Sequence, residues 1–187
     1  MQHTKAGLKM LFTPLKIPGS YVIELDKRED DRGFFARLFC EKEFAEHGLE
    51  TRFMQGNNSL SLSKGTLRGM HYQQSPAEEV KLVRCVRGAV FDVLLDLRPD
   101  SPTYKAHFGV ELSSDNRKML YIPRGCAHGF YTLVGDSELV YLVSAPYSPE
   151  FEKGVRFDDP AFNIVWPSQP LVVSDRDMRH PDYEYAK

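Results

Sequence analysis

The chain has 187 residues, of which 42% are hydrophobic and 12% aromatic, so it is long and apolar enough to form one globular domain. Its formal net charge of −2 argues against non-specific binding to nucleic acid, which requires a basic face. No apolar run approaches the roughly 20 residues that a membrane helix needs, and the N-terminus lacks the apolar core of a signal peptide.

The first fifty residues predict a tail, two strands and one short helix. Residues 1–13 are expected to form a tail that ends in a short apolar run. Residues 21–25 alternate between apolar and polar side chains as a strand does, and residues 36–39 can form a second strand. Residues 41–47 have helical character, and Gly48 supplies a C-terminal stop.

From Thr51 onward, the pattern changes to short strands separated by turns. The expected strands cover residues 66–73, 80–86, 89–97, 107–113, 118–122, 128–133 and 138–144. The segments between them are rich in Pro, Gly, Asn and Asp, which favour turns. Short strands that recur every 8–12 residues or so predict an all-β sandwich or barrel. No linker or repeat divides the chain, so one domain is expected over residues 1–187.

The C-terminal part breaks this strand pattern. Residues 158–167 are expected to form a loop or short helical turn that packs Phe162, Ile164 and Trp166 onto the sandwich. Further along, Ser174 is well placed to cap a short helix, because its hydroxyl can accept from a free backbone N–H of the first turn.

The stretch 65–73 carries the first candidate chemistry. The imidazole of His71 can move a proton near neutral pH, and the guanidinium of Arg68 can hold an anion through two parallel hydrogen bonds. The ammonium of Lys81 can stabilise negative charge as it develops, and Tyr141, in a later strand, can supply an acid. The residues alone are equally consistent with a surface strand carrying incidental charges and a core tyrosine.

A metal site is the first alternative. His71 and His128 lie on strands that could be neighbours in a barrel, which is a common beginning for such a site. However, Gln73 stands where a second histidine of an H-x-H pair would be, and the nearby acids are Glu78 and Glu79. Two ligands hold a metal poorly, so no catalytic metal is expected.

Other chemistries have less support. Cys40, Cys85 and Cys126 form no C-x-x-C pair, which indicates reduced, buried thiols of a cytoplasmic protein. The chain contains neither a nucleophile elbow nor a glycine-rich phosphate loop, so no cofactor is expected. His3 and His180 lie near the chain ends and carry no predicted role.

Several segments together resemble the dTDP-4-dehydrorhamnose 3,5-epimerase family. They are residues 31–35, 55–57, 67–73, 81–92, 101–103, 122–130, 158–160, 166–167 and 174–177. The resemblance spans roughly residues 14–180, and the ordered set is more specific than any single motif. It implies a metal-free, cupin-type jelly-roll β-sandwich with short helices near 41–48 and at the C-terminus. It also implies a homodimer in which an N-terminal strand, within residues 1–13, is exchanged.

The resemblance implies a nucleotide-linked 4-keto-6-deoxy sugar as substrate, whose ketone acidifies the protons on the two neighbouring carbons. His71 matches the base that removes them, and Asp177, with Asp175 as the alternative, matches the acid that orients this histidine. Lys81 matches the group that steadies the enolate, and Tyr141 matches the acid that reprotonates the opposite face.

The resemblance further implies a set of substrate-binding residues, namely Arg32, Phe35, Arg37, Gln55, Asn57, Arg68 and His128. Arg32 and Phe35 would come from the partner subunit and hold the nucleotide. Arg37 stands where the family usually has an acid that contacts thymine, and a guanidinium can only donate hydrogen bonds. A CDP- or GDP-linked sugar is therefore an alternative to a dTDP-linked one, unless Arg37 points to solvent.

Two further departures from the family pattern are present: Gly56 stands where an aspartate is usual, and Tyr147 alone remains of an expected tyrosine pair. The predicted function is an epimerase of deoxysugar and cell-surface polysaccharide biosynthesis that inverts C3, C5 or both. A 3,4-ketoisomerase of the same superfamily and a non-catalytic sugar-nucleotide binder are the alternatives. The presence of both a base and an acid argues against the binder.

Overall fold

Two β-sheets face each other in the structure, a computed structural model that describes residues 8–184. The strands are β1 (Met10–Pro14), β2 (Tyr21–Leu25), β3 (Arg28–Asp30), β4 (Gly33–Phe35), β5 (Gln55–Ser61), β6 (Thr66–Gln73), β7 (Lys81–Arg87), β8 (Ala89–Asp96), β9 (His107–Ser113), β10 (Met119–Ile122), β11 (Cys126–Thr132), β12 (Ser137–Val143), β13 (Glu152–Gly154) and β14 (Val172–Val173). Two short helices, α1 (Glu41–Glu46) and α2 (Asp175–Met178), complete the described elements.

The first sheet has the strand order β1-β2-β10-β7-β12-β5, and the second has the order β13-β6-β11-β8-β9. All pairings within them are antiparallel, except that β14 joins β6 in parallel. Strands β3 and β4 form a separate hairpin. This layout confirms the predicted all-β sandwich with few short helices.

The central core lies between the two sheets, because alternate residues of each strand point inward. It is formed by apolar side chains from both sheets and from the first loop: Ile17, Val22, Val83, Cys85, Val90, Leu94, Leu112, Leu120, Ile122, Cys126, Phe130 and Leu139. By the same alternation, Lys81 shares an inward face with Val83, and Asp92 shares one with Leu94. Polar groups are therefore carried into the space between the sheets at one end of this core.

Further apolar clusters cover the outer faces of the sheets. Phe44 of α1 packs with Ile23 and Leu82 over the first sheet. The segment after β13 covers the second sheet, where Phe162 and Trp166 pack against its outward residues as predicted. The indole N–H of Trp166 donates to a backbone carbonyl, which satisfies the polar end of the ring.

Most predicted elements are confirmed within one or two residues, but one predicted strand is wrong, and the strands β3, β4, β5, β13 and β14 were not predicted. Residues 36–39 form no strand, since the chain pairs earlier as the β3–β4 hairpin. The strand β5 was not expected, because its Gly-Asn-Asn sequence is typical of a turn. It forms because every residue of β5 pairs with β12, and this tertiary pairing outweighs the local preference.

The N-terminal segment pairs within its own chain. Met10 to Pro14 form β1, an edge strand hydrogen-bonded to β2, while residues 1–7 of the expected tail lie outside the described part of the chain.

The three cysteines are unpaired, and Cys40 is only half-buried rather than buried as expected. Neither described helix is long and apolar enough to cross a membrane.

Candidate active site

A cavity of about 410 Å³ opens between the sheets at the polar end of the core. It is lined by Ser59, Thr66, Leu67, Arg68, His71, Lys81, His128, Phe130, Tyr141, Val172, Val173, Ser174, Arg176 and Asp177. The second sheet supplies His71, whereas the first sheet supplies Lys81 and Tyr141. All four residues expected to be catalytic therefore line one cavity, together with Arg68 and His128.

A β-bulge places Arg68 and His71 on the same side of β6. In the pairing of β6 with β11, His71 faces His128 and Arg68 faces Phe130. Between these two pairs, the chain advances by three residues on β6 but by only two on β11. The extra residue reverses the alternation, and two side chains three positions apart both face the cavity. Gly69 makes this possible, because a Cβ there would lie 2.6 Å from the backbone of Gly129.

The imidazole of His71 is held by a buried carboxylate. Its Nε2 lies 2.7 Å from Oδ1 of Asp177, whose other oxygen accepts from the backbone N–H of Gly69 at 3.2 Å. Because an ionised carboxylate only accepts, Nε2 carries the hydrogen and the lone pair of the neutral ring is on Nδ1. Asp175 instead lies exposed and bonds Arg179, so Asp177 is the acid that contacts His71.

Helix α2 brings Asp177 to this position. Ser174 caps it as predicted, and its Oγ accepts from the backbone N–H of Asp177 at 3.1 Å. Burial alone would raise the pKa of Asp177, but the hydrogen bond from His71 and the one from the Gly69 N–H outweigh it and lower that pKa. The carboxylate is therefore ionised over the pH range in which an imidazole titrates.

Lys81 is fixed by Glu79, two residues before it. Its Nζ lies 3.0 Å from Oε1 of Glu79, and the lysine is only 9% exposed. The other oxygen of Glu79 accepts from the side-chain amide of Gln73 at 3.4 Å. The sequence suggested Glu79 only as a neighbouring acid for a metal, whereas here it pairs with the ammonium that faces the cavity.

Tyr141 faces His71 from the opposite sheet. Burial raises the pKa of its phenol, and the negative charge of Glu79 raises that pKa further, while Arg68 opposes the shift. The phenol therefore stays protonated at neutral pH. A hydrogen-bonded imidazole on one wall and a protonated phenol on the other can remove and deliver protons from two sides of a bound molecule.

His128 forms a second pair with a carboxylate that the sequence did not single out. Its Nε2 lies 2.9 and 3.0 Å from the two oxygens of Asp92, which is fully buried on β8. The signal in the sequence was an aspartate within the otherwise apolar run of residues 89–95. Arg68 also has fixed partners, because its Nε donates to the hydroxyl of Ser61 at 3.1 Å.

Five residues expected to bind substrate do not line the cavity: Arg32, Phe35, Arg37, Gln55 and Asn57. Arg32 lies in the turn of the β3–β4 hairpin and bonds Asp30, and Phe35 is 68% exposed. Asn57 pairs with Tyr141 across β5 and β12. Gln55, at the start of β5, accepts a hydrogen bond from the backbone of Tyr147.

The side chain of Arg37 does not line the cavity, and its guanidinium has partners within the protein. Its Nη1 donates to the backbone carbonyl of Leu8 at 2.8 Å and to Oε1 of Glu43 at 3.1 Å. Glu43 in turn accepts from the backbone N–H of Met10. The guanidinium therefore ties the N-terminal segment to α1.

His180 was assigned no role from the sequence, yet its ring lies beside His71, with ring centroids 6.4 Å apart. Burial lowers the pKa of its imidazole, and the positive charge that His71 can carry lowers it further. His71, Asp177 and His180 each offer one donor atom, and these three atoms lie within 4.8 Å of one another. The two histidines considered as metal ligands from the sequence were His71 and His128, whereas the structure groups His71 with Asp177 and His180, and Nε2 of His128 bonds Asp92.

The chain is similar to known proteins over most of its length. A family model described as dTDP-4-dehydrorhamnose 3,5-epimerase matches residues 14–184. A dTDP-4-dehydrorhamnose 3,5-epimerase from Sinorhizobium fredii is 44% identical over 174 residues, covering 92% of this chain and 89% of the relative. A dTDP-4-dehydrorhamnose 3-epimerase from Streptomyces niveus is 40% identical over 170 residues, covering 90% of this chain and 82% of the relative.

One solved structure adds a ligand to this comparison. It is a dTDP-6-deoxy-D-glucose-3,5-epimerase from Legionella pneumophila in complex with dTDP-4-keto-L-rhamnose. It superposes with a TM-score of 0.85 at 39% identity, covering 91% of this chain and 90% of that chain. The similarity thus extends from the sequence to the overall fold.

Proposed function

The chain belongs to the dTDP-4-dehydrorhamnose 3,5-epimerase family and is an epimerase of deoxysugar biosynthesis, and we propose that the cavity between its sheets is the active site. The observation that carries this proposal is the placement of His71 and Tyr141 on opposite walls. An epimerase must remove a proton from one face of a carbon and return one to the other. A base and an acid on facing sheets supply those two functions.

In the proposed first step, a carbon next to the ketone of a 4-keto-6-deoxy sugar loses a proton to Nδ1 of His71. Asp177 accepts the Nε2–H hydrogen bond and stabilises the imidazolium that forms. The electron pair left on carbon moves onto the ketone oxygen and gives an enolate. Lys81, which is buried and held by Glu79, stabilises that negative charge.

In the second step, Tyr141 donates its phenolic proton to the same carbon from the opposite face, so the configuration inverts. The phenol is suited to this because burial and Glu79 raise its pKa and keep it protonated. Proton transfer of this kind contributes roughly 10²–10⁴-fold to a rate. Arg68 and His128 face the same space, and we propose that they hold the sugar and the diphosphate.

We propose that both C3 and C5 are inverted, since both carbons flank the ketone and can become acidic. The Sinorhizobium fredii relative is named as a 3,5-epimerase, while the Streptomyces niveus relative is named as a 3-epimerase. Product analysis by NMR distinguishes the outcomes: inversion at two carbons supports the proposal, and inversion at C3 alone contradicts it. A product with a displaced carbonyl would instead indicate a 3,4-ketoisomerase.

We propose dTDP as the nucleotide. The Legionella pneumophila structure that resembles this one holds dTDP-4-keto-L-rhamnose. The reason for considering CDP or GDP was the guanidinium of Arg37, and its hydrogen bonds to Leu8 and Glu43 support dTDP instead. A thermal-shift screen with dTDP, UDP, CDP and GDP tests this, because a bound ligand stabilises the folded state. A larger shift with CDP or GDP would overturn the choice.

We further propose a cytoplasmic homodimer in which the β3–β4 hairpin reaches the partner's cavity and an N-terminal strand is exchanged. The exchange requires that β1, which pairs here with β2 of its own chain, pairs instead with the partner. Arg32 and Phe35 on this hairpin are largely exposed and far from interior packing, as residues reserved for a partner would be. Mixing an inactive His71→Ala chain with an inactive Arg32→Ala chain tests this. Recovery of activity in the mixture supports sharing of residues, whereas a monomer in light scattering would exclude it.

The base is tested by exchange of solvent deuterium into the substrate. In the parent protein we expect deuterium at C3 and C5, and in His71→Ala we expect this exchange to fall by roughly 10²-fold or more. Equal exchange in both proteins would show that another group is the base. Binding of the nucleotide-sugar with no turnover of any 4-keto substrate by the parent protein would indicate a non-catalytic binder.

A further inference from the structure

His180 lies in a niche that the second sheet leaves open beside His71. Gly154 on β13 is the residue paired with His71 on β6. A Cβ at residue 154 would overlap the ring of His180, including its Nε2. Glycine at this position therefore makes room for an imidazole next to the proposed base, at a point where any other side chain would displace it.

One nitrogen of the His180 imidazole has no hydrogen-bond partner among the described residues. Nε2 of His180 is buried and has no hydrogen-bond partner among residues 8–184. A buried polar atom without a partner costs roughly 1–3 kcal/mol, so most such atoms find one. His180 thus has a ring nitrogen without a hydrogen bond, and its imidazole lies beside a second histidine and a carboxylate, where it is available to bind something else.

His71, Asp177 and His180 combine the donor atoms that a small cation requires. One ring nitrogen of each histidine and one carboxylate oxygen lie within 4.8 Å of one another. Within the described residues, this is the single group of three or more histidine, cysteine, aspartate or glutamate side chains so arranged. Two imidazoles and a carboxylate form a donor set that suits Zn²⁺, Co²⁺ or Ni²⁺ and not Mg²⁺ or Ca²⁺.

We propose that His71, Asp177 and His180 form a binding site for a divalent first-row transition ion, with Zn²⁺ as the test ion, and that its occupancy inhibits the protein. Two ligand atoms of a tetrahedral zinc lie roughly 3.3 Å apart. The His71 and Asp177 atoms are 2.7 Å apart, so this pair must open by about half an ångström when the ion enters.

Inhibition follows from the identity of the ligands. An ion bound to Nε2 of His71 takes the place of its hydrogen, which is released to solvent, and the neutral ring then carries a hydrogen on Nδ1. The hydrogen bond to Asp177 is lost, and Nδ1 no longer has the lone pair that the proposed base needs. The ion thus inhibits the reaction and takes no part in its chemistry. The inhibition, though not the binding, rests on the proposed function of the cavity.

Binding is measured first, without substrate, on protein freed of metal by a chelator. We expect one Co²⁺ per chain, with visible d–d absorption typical of nitrogen and oxygen ligands, and displacement of this absorption by Zn²⁺. In His180→Ala, loss of one of three protein ligands is expected to weaken binding by at least about tenfold. His180→Gln repeats the test if the alanine variant is unstable.

The matched control is His47→Gln, which removes a histidine on the outer side of the first sheet, where its ring stacks on Phe12. We expect this variant to bind Co²⁺ as the parent protein does. Equal affinity in the His180 and His47 variants would overturn the site, and so would the absence of a one-to-one Co²⁺ complex in the parent protein.

Inhibition is measured second, with each protein compared to its own zinc-free rate. We expect Zn²⁺ to inhibit the parent protein and EDTA to reverse this, with at least about tenfold more Zn²⁺ required for His180→Ala. If the parent protein binds Zn²⁺ but is not inhibited, the inhibitory role is wrong. If it binds Zn²⁺ but turns over no 4-keto sugar, the proposed function fails while the metal site stands.

Discussion

At the level of single residues, the cavity depends on charged side chains that hold one another in place. Asp177 contacts His71, Glu79 contacts Lys81 and Asp92 contacts His128. In each pair the acid is buried or nearly so, and such a pair is costly to break, because the remaining partner is left uncompensated in a site of low dielectric. Each acid is therefore expected to affect the reaction through its partner.

Replacing Asp177 by Asn keeps the shape of the acid but removes the charge that stabilises the imidazolium of His71. We expect kcat to fall by roughly 10²–10⁴-fold, because a neutral amide neither fixes the tautomer nor compensates the positive charge. Asp175→Asn is the matched control, since Asp175 is exposed and bonds Arg179. Similar rates for the two variants would show that Asp177 does not act on the base.

Replacing Glu79 by Gln tests the role of Tyr141 as the proton donor. The negative charge of Glu79 raises the pKa of Tyr141, so its removal lowers that pKa, and the phenol ionises at lower pH. The alkaline decline of kcat is then expected to shift to lower pH, measured as a pH–rate profile. Glu78→Gln is the control, and an unchanged or upward-shifted alkaline limb in Glu79→Gln would contradict the coupling.

At the level of secondary structure, the decisive element is β6 with its bulge. Without the extra residue, Arg68 and His71 would face opposite sides of the sheet. With it, the backbones of β6 and β11 approach so closely that only glycine fits at residue 69. The bulge thus connects a local backbone feature directly to the composition of the cavity.

Gly69→Ala is predicted to be far more destabilising than Gly33→Ala. Both glycines have a positive φ, +118° and +126°, so both variants incur a similar backbone cost of about 1–2 kcal/mol. At Gly33 a Cβ meets nothing within 4 Å, whereas at Gly69 it would lie 2.7 Å from the carbonyl oxygen of His128. Urea unfolding measures the difference, and equal losses would show that the contact between strands is unimportant.

At the level of the whole molecule, the network around Asp96 joins the two layers at one end. Asp96 ends β8 and accepts from Arg98, Ser101 and Thr103, and Arg98 also donates to the carbonyl of Pro18 in the loop before β2. Burial alone would raise the pKa of Asp96, but these donors outweigh it and lower the pKa to about 2. Its charge is therefore linked to global stability.

This linkage predicts the response of the fold to acid. The pKa of Asp96 is about 2 when folded, against roughly 3.9 when unfolded, so its contribution of about 2–3 kcal/mol is complete above pH 4. It is lost as pH falls from about 4 to 2, because the unfolded chain then binds the proton more readily. In urea unfolding, the free energy of unfolding of Asp96→Asn should fall less steeply over this pH window than that of the parent protein. A parallel decline in both proteins would contradict the assignment.

The sequence by itself determined the strand-and-turn pattern of the chain and the identity of the main cavity residues. Alternating apolar positions and turn residues are local signals, so the strands β6 to β12 and the cap at Ser174 were predicted from the sequence. The ordered motifs around His71 and Lys81 likewise pointed to the family, because they are short segments whose order survives without a structure.

Only the tertiary structure decided which groups meet. Strand β5 exists because it pairs with β12, and its own residues favour a turn. His71 is separated by more than a hundred positions from Asp177 and from His180, and no local pattern encodes such contacts. The bulge at Gly69 and the burial of Asp92 likewise arise from pairing between strands, which depends on the whole sandwich.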